Sequence, residues 1–136
     1  MHTEADFLKG LNEQQNETVR HINGTVLVLA GAGSGKTKVL TSRIAHLVKN
    51  GISPNDILAV TFTNKAAKEM QARLAQYLGE DVVKRMWVGT FHNICGRILR
   101  RDLENYKTKD GRKWDNNYVI YDDTDTKTII KMRLKN

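Results

Sequence analysis

Apolar residues follow two rhythms along this chain, and their alternation predicts the order of its elements. Val26-Leu27-Val28-Leu29 and Ile57-Leu58-Ala59-Val60-Thr61-Phe62 run without polar interruption, as parallel strands covered on both faces do. Met86-Trp87-Val88 is a shorter strand candidate. Between these runs, Leu40, Ile44, Leu47 and Val48 recur at helical spacing until Asn50-Gly51, with Pro54 beyond, marks a stop. A helix beginning near Asn64 places Ala67, Met70, Leu74 and Leu78 on one side. Residues 91–103 form another, with Phe91, Ile94, Cys95, Ile98 and Leu99 inward. Ahead of the first run, residues 12–22 read as a helix with Asn12 as its N-cap and Glu13 in its first turn. Val19 and Ile22 share one face of it, and Asn23-Gly24 ends it. Strands and helices in this alternation predict an α/β fold of three layers, with a parallel sheet of buried strands and right-handed crossovers.

The pattern changes after residue 103. Glu104 to Asn117 is polar, carries an Asp110-Gly111 turn signal and has almost no core-forming residue except Trp114, which predicts an exposed loop. Tyr118-Val119-Ile120-Tyr121 is a candidate short strand, and Asp123 or Thr124 a candidate cap for a last helix that buries Ile130 and Leu134. The expected organisation is one unit: a core over 11–103, a loop over 104–117 and a final strand and helix over 118–135.

Composition narrows the class. At 136 residues, with 40% hydrophobic and 27% charged side chains, the chain suits one soluble globular domain. No apolar run approaches the roughly 18 residues of a membrane span, and the N-terminus has no signal-peptide core, so no membrane association and a cytoplasmic location are expected. A single cysteine, Cys95, rules out a disulfide framework within the chain and fits a reducing compartment; its neighbours Ile94, Ile98 and Leu99 predict that it is buried. His2, His21, His46 and His92 show no ligand spacing, so protein-bound zinc is not expected. Net charge is +7. Residues 1–83 hold 9 basic and 8 acidic side chains and residues 84–136 hold 13 and 7, so the C-terminal part carries nearly all the excess. A localised basic excess suits a polyanion, although a solvated lysine-rich face has the same composition.

Chemistry concentrates where the first apolar run ends. Ala30-Gly31-Ala32-Gly33-Ser34-Gly35-Lys36-Thr37 stands between a predicted strand and a predicted helix, the setting in which backbone N–H groups converge on a polyphosphate. Glycines remove the Cβ obstruction, Lys36 can reach the outer phosphates, and the Thr37 hydroxyl can ligate the Mg²⁺ they carry. Ala30 stands where this loop usually begins with glycine, at the end of the strand, where a methyl group is tolerated. The loop predicts a nucleoside triphosphate, ATP with Mg²⁺, as ligand.

Three further segments extend the match. Leu11-Asn12-Glu13-Gln14-Gln15, the loop from Ala30 to Thr37, Thr61-Phe62-Thr63-Asn64-Lys65-Ala66-Ala67 and Gly89-Thr90-Phe91-His92 resemble the Q motif and motifs I, Ia and Ib of UvrD/PcrA/Rep-type superfamily 1 DNA helicases, in the family's order and spacing. The resemblance implies an incomplete RecA-like P-loop NTPase domain. It also implies that Gln15 meets the adenine edge, that Lys36 and Thr37 serve ATP and Mg²⁺, and that Arg43 lies near the base or ribose. Phe62, Thr63, Asn64, Thr90, Phe91 and His92 become candidate contacts to single-stranded DNA, by stacking and by phosphate hydrogen bonds. Plainer roles stand beside these: a surface glutamine at 15, a surface arginine at 43, a core phenylalanine at 62 and an ordinary helix-start histidine at 92. Asn93 departs from the family's usual serine. Arg97, Arg100 and Arg101, with Lys84 and Arg85 nearby in sequence, form a steering surface or a solvated helix face.

Hydrolysis in this architecture also needs an acidic pair after another strand, and arginines for the transition-state charge. Val119-Ile120-Tyr121-Asp122-Asp123 imitates the first, but in the resembling family this segment precedes a helix, and the acidic motif lies further on. The resemblance therefore implies the N-terminal part of a first motor domain whose partners are single-stranded and duplex DNA, a second motor domain, and repair or replication proteins. It further implies 3′-to-5′ translocation. Two rivals remain at this level: a stand-alone nucleotide- or DNA-binding module, and a small P-loop kinase.

Overall fold

The computed structural model describes residues 4–31, 33–111, 113, 115, 117–121 and 123–134, with side chains from residue 6 onward. It divides into two compact units, Met1–Ile94 and Cys95–Asn136. The first holds α1 (Glu4–Leu8), α2 (Glu13–Arg20), α3 (Lys36–Lys49), a 3₁₀ turn (Pro54–Asp56), β1 (Leu58–Thr61), α4 (Asn64–Leu78), α5 (Glu80–Lys84) and β2 (Trp87–Thr90). Helix α6 (Phe91–Asp102) follows β2 directly and runs across the boundary. The second unit continues with a 3₁₀ turn (Leu103–Asn105) and α7 (Asp123–Arg133).

β1 and β2 pair in parallel, from Leu58 opposite Trp87 to Thr61 opposite Thr90. Parallel neighbours cannot be joined by a tight hairpin. Here the connection is α4 and α5: α4 packs on both strands, and α5 packs on α4 and adds Val83 to the core. Ile44, Ile57, Ala59, Met70, Leu74, Val83, Met86 and Val88 form the core. Helix α4 buries Ala67, Met70 and Leu74 at the predicted spacing. Its start is fixed by Thr63, whose hydroxyl accepts from the Ala66 N–H at 3.1 Å, and it ends at Gly79, whose φ of +87° suits a residue without Cβ.

Two elements escape the pattern because each is only five residues long. Helix α1 carries Phe7, which is fully buried and meets the rings of His46 and Tyr77 edge-on at 6.3 and 6.0 Å. The Ser42 hydroxyl donates to the Phe7 carbonyl at 2.7 Å. Helix α5 contributes Val83 to the core.

Several expectations are corrected. Residues 25–30 form no strand, and Leu27 and Leu29 are 82% and 87% exposed. A parallel strand makes no hydrogen bonds within itself, and among the described residues no other strand lies beside this run. β1 is covered on one face only: Leu58 is 61% exposed while Ala59 is buried. Of the five α6 residues expected inward, Ile94 alone is buried, and Cys95 is exposed. Tyr118–Tyr121 is not a strand, and α7 buries none of its residues, so Ile130 and Leu134 face outward. Helix α7 begins at Asp123, so both candidate caps lie inside its first turn. An apolar residue is buried only where something covers it, and periodicity does not supply the cover. In the expected loop, Lys107, Lys109, Asp110, Gly111 and Lys113 are exposed, and an antiparallel bridge joins Lys107 to Lys113; Trp114 lies outside the described residues.

Leu74 is fully buried in the core cluster. Truncation to alanine leaves a cavity there, so Leu74→Ala is expected to lower stability by about 2–5 kcal/mol in urea unfolding.

Candidate functional site

The N-terminal side of the glycine loop is organised by a helix cap. Asn12 Oδ1 accepts from the Gln15 N–H at 2.8 Å, and Gln15 Oε1 accepts from the Asn12 N–H at 3.0 Å, a reciprocal capping box that starts α2. The other end of the same amide, Gln15 Nε2, donates to the Ser34 carbonyl at 3.0 Å. Gln15 is therefore a link between helix and loop, with both halves of its amide engaged. A solvated surface glutamine is not what the structure contains.

The loop itself is built from positive φ. Gly33 and Gly35 sit at +74° and +80°, angles that L-residues with side chains rarely hold. Gly31 supplies a carbonyl that receives the Lys36 ammonium at 2.6 Å, the Ser34 hydroxyl at 2.6 Å and the Ser34 N–H at 3.3 Å. Lys36 also donates to the Ala30 carbonyl at 3.1 Å. Its charge is thus turned onto the loop's own oxygens. Helix α3 starts at Lys36 with no side-chain cap, which leaves first-turn N–H groups and the positive end of the helix dipole facing the loop. Among the described residues, the Thr37 hydroxyl has no protein partner. A recess of about 390 Å³ opens here between Asn12, Gln15, Leu29, Gly31, Ser34 and Lys36. Ala32 lies outside the described residues.

Arg43 is half-buried and donates to the Thr18 carbonyl at 2.6 Å, tying α3 to the end of α2. With Val26, Val28, Lys36, Val39 and Leu40 it lines a second recess of about 310 Å³. A free surface arginine is excluded.

A second group gathers where β1 and β2 end. Because Thr61 pairs with Thr90, the residues that follow each strand emerge side by side. Phe62 is 93% exposed and Phe91 55%, and their ring centres lie 6.1 Å apart at 53°. The core reading of Phe62 is thereby excluded. Thr63 is occupied with capping α4, and the Thr61 hydroxyl donates to its carbonyl at 3.0 Å. Thr90 is buried, its hydroxyl accepting from the Asn93 N–H at 3.3 Å, whereas His92 is exposed. Asn93 Nδ2 donates to Asn64 Oδ1 at 3.1 Å. The residue at which this chain departs from the resembling family is therefore the one that joins the start of α6 to the start of α4. No one-dimensional signal pointed to that bond, since the partners are 29 positions apart.

The arginine cluster is less available than its sequence suggests. Arg101 donates twice to Asp102, at 2.9 and 3.0 Å, and this hydrogen bonding raises the Arg101 pKa and holds the Asp102 carboxyl below the usual carboxylate range. The Arg100 guanidinium lies 5.2 Å from the centre of the Tyr118 ring. Lys84 pairs with Asp81 at 3.4 Å, both exposed.

The fold and the loop together define a mixed α/β protein in which a parallel strand pair and a Gly-Ser-Gly-Lys-Thr helix start are the organising features. The UvrD/REP helicase N-terminal domain family matches residues 11–136, and the chain belongs to that family. It is 48% identical over 130 residues to an ATP-dependent DNA helicase PcrA of Staphylococcus epidermidis, and 46% identical over 131 residues to one of Staphylococcus aureus. These alignments cover 95% and 96% of this chain and 17% of each relative, so the chain spans about one sixth of the length of the proteins it matches. No helix among the described residues is long and apolar enough to cross a membrane.

At Gly35, an added Cβ would meet Gln15 Nε2 at 3.6 Å, an ordinary contact, so strain comes from the φ of +80° alone. Gly35→Ala is expected to cost about 1–2 kcal/mol, readable as a lower thermal midpoint.

Proposed function

We propose that this chain is the nucleotide-binding part of the first motor domain of an ATP-dependent DNA helicase, a RecA-like P-loop unit that holds ATP and one stretch of single-stranded DNA. The observation that carries the reading is the loop from Ala30 to Thr37, with its left-handed glycines, its uncapped helix start and a lysine turned onto carbonyl oxygens. Membership of the helicase family supports the choice of ATP and DNA over a kinase's acceptor.

The residues fit the nucleotide. N–H groups at the start of α3 and the Lys36 ammonium would hold the phosphates, and the Thr37 hydroxyl would ligate Mg²⁺. ATP bound with Mg²⁺ supplies the phosphoanhydride whose cleavage drives the motor. Gln15 would exchange its bond to Ser34 for the adenine edge, because an amide offers a donor and an acceptor together. Arg43, anchored on Thr18, would flank the base or ribose. Catalysis rests on Lys36 and Thr37 within this chain, and the acidic pair and transition-state arginines come from elsewhere in the helicase, the arginines from the second motor domain.

At the strand ends, Phe62 would stack on a base. Thr63, Asn64, Thr90, Phe91 and His92 would line the path of the backbone. Stacking tolerates any base, as stepping along a strand requires. In the whole enzyme this grip alternates with that of the second motor domain, giving 3′-to-5′ translocation and unwinding of duplex DNA, in a cytoplasmic setting with repair or replication partners.

Titration calorimetry with Mg-ATP tests the loop: Lys36→Ala should weaken binding about ten- to hundredfold, the loss of charge-assisted hydrogen bonds worth about 1.5–3 kcal/mol. Phe62→Ala should weaken binding of a single-stranded oligonucleotide by about 1–3 kcal/mol; unchanged affinity would remove the stacking role. The chain alone should bind Mg-ATP with little turnover. Strong ATP hydrolysis stimulated by single-stranded DNA from these 136 residues would place the missing acidic groups inside it and defeat that assignment.

A further inference from the structure

The positive charge of the C-terminal unit is spread over α6, the loop beyond it and α7, and the first two differ in their surroundings. On α6, Arg101 is paired with Asp102 and Arg100 lies over Tyr118, so both cations are engaged locally. In the loop beyond, the antiparallel bridge sets Lys107 directly opposite Lys113. Gly111, at a φ of +81°, makes the turn between them. Like charges directly opposite on an antiparallel pair repel. Lys107, Lys109 and Lys113 are all exposed, and among the described residues no ion pair takes up any of the three ammonium groups. Asp110, the acid within the turn, accepts a hydrogen bond from the Thr108 hydroxyl. Arg112 adds a fourth basic residue in sequence. Tyr106, exposed, precedes the hairpin.

A polyanion with closely spaced charges relieves such a pair, and its counterions are released as it binds. Residues 107–113, Lys-Thr-Lys-Asp-Gly-Arg-Lys, contain no apolar side chain. A membrane-surface element needs an apolar face to insert, so the chemistry favours a phosphate backbone. We propose that the 107–113 hairpin is a second DNA-contact surface, gripping backbone phosphates through Lys107, Lys109 and Lys113. It uses different residues from those at the strand ends. The choice of DNA rests on the helicase reading, whereas the demand for a polyanion comes from the hairpin itself.

The test replaces all three lysines by glutamine in the full chain and follows affinity for a single-stranded oligonucleotide and for a duplex across 50–200 mM salt. The plot of log affinity against log salt should become shallower by roughly two to three, near 0.9 per lost duplex contact and 0.7 per single-strand contact, with affinity down about tenfold or more at the low-salt end. A loss confined to the single strand assigns the hairpin to the tracked strand, and one confined to the duplex assigns it to paired DNA. Replacing the same lysines by arginine should preserve the slope. Phe62→Ala, by contrast, should lower single-strand affinity without changing the slope, so failure of stacking and failure of the hairpin are separable. Unchanged slope and affinity on both DNAs, in a glutamine variant with an unaltered far-ultraviolet dichroism spectrum, would overturn the proposal. Loss of binding to vesicles of phosphatidylserine with DNA binding intact would overturn it too.

Discussion

Four parallel residue pairs, Leu58–Trp87 to Thr61–Thr90, set the geometry on which the rest of the first unit depends. Parallel pairing demands a long crossover, and α4 with α5 is that crossover. Because the crossover packs on the strands it joins, Met70, Leu74 and Val83 become core. Because the strands run the same way, their C-terminal ends lie together. Phe62 and Phe91, 29 positions apart in the chain, thereby become ring neighbours, and Asn64 comes within hydrogen-bonding distance of Asn93. An antiparallel pair would have sent these segments to opposite ends. The candidate DNA surface is thus a direct consequence of strand direction.

The glycine loop depends on a different economy of hydrogen bonds. A loop with two left-handed glycines has little side chain to pack, so its shape is held by polar contacts from outside and from its own lysine. Gln15 provides the outside contact. One half of its amide completes the cap of α2 and the other holds Ser34, so the start of a helix and the shape of the loop are coupled through a single side chain. Arg43 reinforces the same neighbourhood by tying α3 to Thr18. Gln15 stands in a segment that resembles a helicase motif, and both residues are structural members of this chain.

What was legible in the sequence follows from the range of the interactions involved. Helices α2, α3, α4 and α6 were visible because caps and 3.6-residue spacing are local. The loop was visible because its glycines and Lys36-Thr37 are contiguous. The five-residue helices α1 and α5 were not, being too short to show a period. Burial follows the pattern on α4 but fails where no element supplies the cover: Leu27 and Leu29, Cys95, Ile130 and Leu134 are all exposed. Phe62 shows the same ambiguity resolved the other way. An apolar run cannot say where its strand stops, and this one stops at Thr61, leaving the ring outside.

By itself, then, the sequence determined the chemistry that lives within a few residues: a phosphate-type loop, the helix caps, the family motifs and the surplus of basic side chains toward the C-terminus. Tertiary structure alone decided which apolar faces are covered and which cations are already engaged. It also brought Asn93 to Asn64 and set Lys107 against Lys113. The physical reason is that burial and charge pairing are properties of neighbours in space, and those neighbours are chosen by strand direction and turn geometry.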